Sequence, residues 1–308
     1  MIQKQIVKEK NRLDVSLSLL FRLTRSQGQK AIKDGRVLVN GEKKLSPSFK
    51  TRPGREITLD ALDQSQIKFP KKPTIDVRLD FVYKDKDLCV LNKPRGRVVH
   101  PAPGHDNNTL VNYLLNEDFF DFDVNDSDDL RPGIVHRIDK DTSGLLAIAN
   151  NKETQAALSE EIKEHDFHRS YLALVYGFVK DRRFKIDAPL TRPNHSERKA
   201  LVDVYKGREA ITHCTLLSTT GKVSLLKVTL ETGRTHQIRA HLAYIGYPIV
   251  GDPLYGRKND EKIASKGQAL HAFSLSLIHP DTLKRRTFYA PMDDYFKKLL
   301  LYFYKTKR

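Results

Sequence analysis

Apolar and polar positions divide the chain into a short helical start and a longer, strand-rich remainder. Leu13, Val15, Leu17, Leu20 and Phe21 recur at near-helical spacing after Asn11, which can serve as an N-cap. Thr24 can cap a second helix, TRSQGQKAIKDG, which presents Arg25, Lys30 and Lys33 and stops at Gly35. In RVLVNGEKK, Val37 and Val39 alternate before Asn40-Gly41, a dipeptide suited to the two positive-φ positions of a tight hairpin. Pro53-Gly54 then turns the chain into the strand-like REITL. Residues 61–76, ALDQSQIKFPKKPTID, hold two prolines and little periodicity and read as a linker.

From Asp80 onward the pattern shifts to short strands with occasional helices. FVYKD and DLCVLNKP predict a hairpin, and GLLAIAN, SYLALVYGFV, KALVDVY and VSLLKVTLE predict further strands. KETQAALSEEIKEH, after Asn150-Asn151, has the spacing of an amphipathic helix, and THQIRAHLAYIG reads as a helix closed by Gly246. The strands mostly follow one another without helical crossovers. The predicted class is therefore α+β: a small N-terminal α/β unit with its linker over residues 1–70, then a domain over 71–308 on a largely antiparallel or mixed sheet flanked by helices. EDFFDFDVNDSDDL, with seven acidic residues and no basic one, reads as a solvated loop with phenylalanines available as anchors.

Composition narrows the setting. With 39% hydrophobic and 30% charged residues the chain suits a globular protein with a core. No apolar run approaches the roughly 20 residues of a membrane-spanning helix. The polar start, MIQKQIVKEKNR, is unlike a secretory signal. Two distant cysteines, Cys89 and Cys214, argue against a disulfide framework or a cysteine-rich zinc site and fit a reducing cytoplasm. The 54 Lys and Arg outnumber the 38 Asp and Glu, a net charge of +16, which points to a polyanionic partner. Residues 1–80 hold 18 basic and 9 acidic residues, so +9 of that excess lies in about the first quarter of the chain.

Three segments carry residues that folding alone does not explain. In RPGIVHRIDKDTSGLLAIAN, residues 131–150, carboxylates at Asp139 and Asp141, basic residues and the hydroxyls of Thr142 and Ser143 crowd a loop held between strand-like runs. In HRSYLALVYG, Tyr171 opens a strand. In ETGRTHQIRAHLAYIGYPIVGDPLYG, Arg234 and Arg239 bracket a helix start before a loop shaped by glycine and proline. Other chemistries fit less well. His236 and His241 are five apart rather than four, which does not align two metal ligands on a helix. The pair Asp139 and Asp141 would suit a glycosidase, but a basic appendage does not. Ser143 lacks the GxSxG elbow of a hydrolase.

HRIDKDTSGLL, RSYLALVYG and TGRTHQIRAHLAYIGYPIVGDPLYG resemble, in order and spacing, the three motifs of the RluA-type pseudouridine synthases. Residues 11–60 resemble the S-four-type RNA-binding domain, on RLD, TRSQGQKAIKDGRVLVNG and RPGREITL. Together the resemblances span essentially the whole chain and point to the subgroup that includes a large-subunit ribosomal RNA enzyme. One departure is Ile138 where the family usually has Leu, a volume-conserving change.

The resemblance implies isomerisation of uridine to pseudouridine in structured RNA, with Asp139 as the essential carboxylate, Arg239 as its partner and Tyr171 against the target base. It further implies that Arg137 fills the space left by the flipped base, that Ile238 lines the uracil pocket and that Arg234 is a second basic contact. Arg25, Lys30 and Lys33 would meet the RNA backbone. The rearrangement is redox-neutral and implies no cofactor and no metal. RNA is the implied partner, with no membrane and no protein partner, and a monomer is the default. A non-catalytic ribosome-assembly factor on the same fold, and a transfer RNA substrate, are the rival readings.

Overall fold

The computed structural model describes residues 2–21, 23, 25–60, 79–100, 108–115, 117–122, 132–191, 199–257 and 264–305. The described residues up to Asp60 pack as one unit and those from Leu79 as another.

The first unit runs β1 (Ile2–Ile6), α1 (Leu13–Phe21), α2 (Arg25–Lys33), β2 (Val37–Val39), β3 (Glu42–Lys43) and β4 (Glu56–Asp60). Its sheet is antiparallel in the order β1-β4-β2-β3. Leu13 and Leu17 of α1 and Ala31 and Ile32 of α2 bury against Val37, Val39, Ile57 and Leu59, the residues the periodicity marks as inward. The hairpin turns through Asn40 at φ 50° and Gly41 at φ 80°, as the sequence predicts. Two details differ. α1 is capped by the Arg12 carbonyl, which accepts from the Val15 and Ser16 amides, while the Asn11 carbonyl accepts from the Thr51 amide and hydroxyl. The strand β1 went unforeseen because IQKQI is exposed throughout and shows no buried alternation; it adds to the edge of the sheet. Thr24, the expected cap of α2, lies outside the described residues, as do the linker 61–76 and the side chain of Arg25.

The second unit runs β5 (Phe81–Lys84), β6 (Leu88–Lys93), α3 (Leu110–Leu114), β7 (Ser143–Ala149), α4 (Lys152–Lys163), β8 (His168–Tyr176) and β9 (Arg183–Asp187). It continues with β10 (Leu190–Thr191), β11 (Leu201–Val202), β12 (Ile211–Thr219), β13 (Val223–Leu230), α5 (Gln237–Tyr244), β14 (Leu270–Ile278), β15 (Arg285–Tyr289) and α6 (Asp294–Lys305). The main sheet has the order β5-β6-β7-β14-β8-β13-β12-β9, with β15 paired to β14, and only the β7–β14 pair is parallel. β6 and β7 are buried on both faces. Leu88, Val90, Leu145 and Ala147 pack with Leu158 of α4 on one face. Cys89, Leu91, Leu146 and Ile148 pack with Leu110 and Leu114 of α3 on the other. Such double burial reads as continuous apolar sequence, which LCVL and GLLAIA show.

The expected strand in KALVDVY shrinks to β11, and the long strand nearby is ITHCTLLST, where Thr and His dilute the alternation. β14 inserts between β7 and β8, so sequence order misplaces it. α5 begins at Gln237 rather than Thr235, because His236 is left-handed at φ 56°. Of the acidic stretch, Phe120 and Phe122 are buried in the core beside α3 while Asp118 and Asp121 are exposed, so its start is anchored by the phenylalanines with those carboxylates in solvent; residues 123–130 lie outside the described residues. Among the described residues no helix is long and apolar enough to cross a membrane.

Gly144 sits where β7 meets β14, paired with Ala272, at φ 107°. A Cβ there would collide with the Ala272 carbonyl. Gly144→Ala is expected to lower the unfolding free energy by about 3 kcal/mol or more, strain and overpacking combined. Denaturant melts measure this, and a loss below about 1 kcal/mol would show that the strands part readily.

Candidate active site

The loop between the Ile134–Ile148 bridge and β7 carries Asp139, and several side chains hold that loop by its backbone. Asp139 to Thr142 form a turn closed by the Thr142 amide on the Asp139 carbonyl at 3.1 Å. Lys93, at the end of β6, donates to the carbonyls of Pro94 at 2.9 Å, Arg97 at 3.0 Å and Lys140 at 2.9 Å. Burial pushes the Lys93 ammonium down to about 7, while three acceptors favour the charged form, which alone has three protons to give. Arg95 donates to the Asp141 carbonyl and to the Gln268 carbonyl, and its Nε meets Asp293 at 3.0 Å. The loop is thereby tied to its neighbours at the two residues that follow the aspartate.

Asp139 faces α5. Its Oδ2 accepts from Arg239 Nη1 at 2.9 Å, and His236 Nε2 stands 3.8 Å from Oδ1. Arg239 is itself clamped from behind: Nε and Nη2 donate to the two oxygens of Asp252 at 2.7 and 2.8 Å. Asp252 is fully buried and also accepts from the amides of Leu254 and Tyr255. Burial works against the Arg239 charge, but the hydrogen bonds and charges of Asp252 and Asp139 outweigh it and hold the guanidinium above its ordinary range. The Asp139 side chain keeps 19% of its surface exposed, toward a cavity of about 520 Å³.

Tyr171, Ile238, Arg137 and Arg234 line the same cavity. Tyr171 is buried on β8, and burial raises its phenol, with Asp139 adding to the rise and Arg169 opposing it, so the hydroxyl keeps its proton at neutral pH. Arg137 is exposed at the mouth, with Nη1 2.8 Å from His100 Nε2. Arg234 is half-buried and donates from Nε to the Glu209 carbonyl at 2.8 Å. Lys30 and Lys33 stand exposed on α2 in the other unit. Asp141 does not join Asp139 at the cavity.

The rejected histidine chemistries find structural explanations. His241 spans the Thr212 hydroxyl and the Ala188 carbonyl in the core, and Ser143 meets His271 Nδ1 at 3.0 Å with both residues buried. Among the described residues no cluster could hold a metal ion. Sequence reasoning passed over Asp252, Lys93, Arg95 and Gln237. Asp252 lies inside a quoted motif, GDPLYG, and a carboxylate there was a candidate counter-charge for a helix arginine. Lys93 ends an otherwise apolar strand, the one visible sign of its burial. Gln237 pins the TGRTHQ turn by accepting from Thr232 Oγ1 and the Arg234 amide and donating to β12, which no local pattern announces.

Residues 87–244 match the profile of the RNA pseudouridylate synthase family, and residues 11–57 match the S-four domain. The chain belongs to the RNA pseudouridine synthase family. This synthase is 40% identical over 277 residues to an uncharacterized RNA pseudouridine synthase of Bacillus subtilis, covering 90% of this chain and 88% of that protein. It is 39% identical over 291 residues to the ribosomal large subunit pseudouridine synthase D of Zymomonas mobilis, covering 91% and 90%. Among solved structures, human RNA Pseudouridylate Synthase Domain Containing 1 superposes with a TM-score of 0.56 at 26% identity, over 71% of this chain and 86% of that one. The enzyme reading therefore stands over the non-catalytic one, and the motif aspartate and arginine of this synthase are in contact.

Asp252→Ala removes the clamp and leaves Arg239 with one carboxylate instead of two. The variant is expected to lose about 3 kcal/mol of stability, as for a broken buried pair, and at least about tenfold in turnover as Arg239 drifts from Asp139. Denaturant melts and single-turnover assays check both; wild-type values in both would show that Asp139 positions Arg239 unaided.

Proposed function

We propose that this synthase isomerises specific uridines in large-subunit ribosomal RNA, in the cytoplasm, with Asp139 as the catalytic carboxylate. The observation that carries this reading is the Asp252–Arg239–Asp139 chain, which presents a charge-paired carboxylate to a cavity from a rigid loop. A uridine within folded RNA reaches such a cavity only by leaving its stack, at a cost of a few kcal/mol. Arg137 at the mouth has the planar, multiply donating group suited to the vacated space. The extruded base packs on Tyr171 and against Ile238. The glycosidic bond from N1 to the ribose breaks with help from Asp139, the uracil turns, and its C5 bonds to the same ribose carbon. N1 gains a proton and C5 loses one, so the balance closes without an oxidant or a cofactor.

The ribosomal substrate is supported by the name of the Zymomonas mobilis relative and by the N-terminal unit, residues 1–70, with its exposed Lys30 and Lys33. Transfer RNA is the outcome the mapping experiment would reveal instead. Pseudouridine mapping on RNA from cells with and without the gene is expected to lose discrete large-subunit sites, restored by wild type and not by Asp139→Asn. In vitro, Asp139→Asn should abolish product while RNA affinity stays within a few-fold, and turnover near wild type would overturn the assignment. Deleting residues 1–70 should weaken RNA binding and flatten the slope of log affinity against log salt, since each phosphate contact contributes about 0.7 to 0.9 to that slope. An unchanged slope would remove the N-terminal unit from the RNA contact.

A further inference from the structure

Beside Arg239 the cavity holds a second buried arginine, which the reaction as described does not use. Arg169 is only 8% exposed, lines the cavity, and its Nε is sealed without a hydrogen-bond partner. Two carboxylates border that cavity, and both are engaged elsewhere: Asp139 with Arg239, and Glu231 with His213 at 2.5 Å. Among the described residues no carboxylate pairs with Arg169; its guanidinium stands 5.7 Å from the Phe167 ring centre. The neighbouring His136 lines the same cavity and accepts from the Ala147 amide on Nε2. Burial, aided by the Arg169 charge, pushes His136 down to about 3, so of these two neighbours only Arg169 carries charge.

The surroundings make room for this side chain rather than neutralise it. A Cβ on Gly233 would lie 2.9 Å from Arg169 Nη1, so the glycine of the TGRTHQ turn leaves the space the guanidinium fills. Arg169 precedes Tyr171 by two positions on β8, which places both side chains on one face of the sheet, roughly 7 Å apart along the strand. A base stacked on Tyr171 would put its sugar–phosphate chain about that far away. The cavity continues past Arg169 to Lys163 and His165, and at about 520 Å³ it has room for a nucleotide rather than a base alone.

A buried cation without a counter-charge is unfavourable, and in a substrate cavity the substrate is the available source of one. The uracil carbonyls are neutral before the reaction. A phosphodiester brings a full negative charge and two non-bridging oxygens that match the guanidinium fork. We propose that Arg169 is the receptor for a phosphodiester flanking the extruded uridine. This rests on the reading of the cavity as the uridine site and names the part of the substrate that the orphan cation takes.

The test uses the full-length protein and a labelled stem-loop RNA, with binding read by fluorescence anisotropy and turnover read separately. Arg169→Gln should weaken binding about tenfold, leave kcat within about twofold, and lower the salt slope by about one, the signature of a lost phosphate contact. Arg169→Lys should restore the slope, since the charge returns, but only part of the affinity. Substrates with a neutral methylphosphonate at the linkage 5′ or 3′ of the target uridine supply the second arm. The wild type should lose about tenfold on one of them and Arg169→Gln should be indifferent to both. Wild-type affinity and slope in Arg169→Gln overturn the proposal, as does a fall in kcat with unchanged binding, which would assign the guanidinium to charge on the departing base. If Arg169→Gln does not fold, the wild-type methylphosphonate arm decides, and equal tolerance of both neutral linkages overturns the proposal. Because binding is measured without turnover, the proposal can fail while pseudouridine still forms, and can hold in the inactive Asp139→Asn background.

Discussion

The buried guanidinium of Arg239, shared between Asp252 and Asp139, is the constraint around which the catalytic unit is arranged. A carboxylate drawn into a cavity tends to take up a proton, and a carboxylate left in water gains no strength from a low dielectric. One arginine resolves this only if its own position and charge are secured independently of Asp139. Asp252 does so, buried and fixed by two backbone amides and by both oxygens on the arginine fork. The fold must therefore bring together three distant stretches: the loop before β7, the start of α5 and the loop that follows α5.

That requirement explains why so much hydrogen bonding is spent on backbone around Asp139 rather than on Asp139 itself. Lys93 and Arg95 reach the two carbonyls that follow it, at Lys140 and Asp141, and Arg95 is in turn held by Asp293 and stacked on Tyr295 at 4.6 Å. Gln237 does the same for the turn that precedes α5. A few tenths of an ångström of slack in either segment would open the 2.9 Å contact between Asp139 and Arg239, and positioning errors of that kind are costly to catalysis. The sheet supplies the rigid floor, since β7 is buried along its whole length and meets β14 so closely that only glycine fits at position 144.

Much of this was legible in the sequence where the signal is local. The helix after Asn151, the Asn40-Gly41 hairpin and the continuous apolar run of β7 follow from caps, turn chemistry and burial on two faces. The Asp139–Arg239 contact was implied by resemblance and is present. What escaped was set by distant partners. β14 enters the middle of the sheet from the end of the chain, β1 is an edge strand with no buried face, and His236 takes a left-handed backbone that its residue type does not announce. Asp252 and Lys93 are ordinary charged residues until the fold surrounds them; the apolar strand before Lys93 hints at its burial, but neither partner set is written in the neighbouring sequence.

The two buried arginines of the cavity then differ in a way that bears on how substrate is held. Arg239 meets more negative charge than it carries, so its place is secured by the protein's own carboxylates. Arg169, in the same cavity, pairs with no carboxylate among the described residues and stands between the Phe167 ring and the bare backbone of Gly233. Had Arg169 an internal partner, a substrate anion would have to displace that partner and would gain little. Left unpaired, it offers the whole of its interaction to the incoming strand. Extrusion of a uridine costs stacking energy, and a contact formed only once the nucleotide is inside the cavity offsets that cost where it arises.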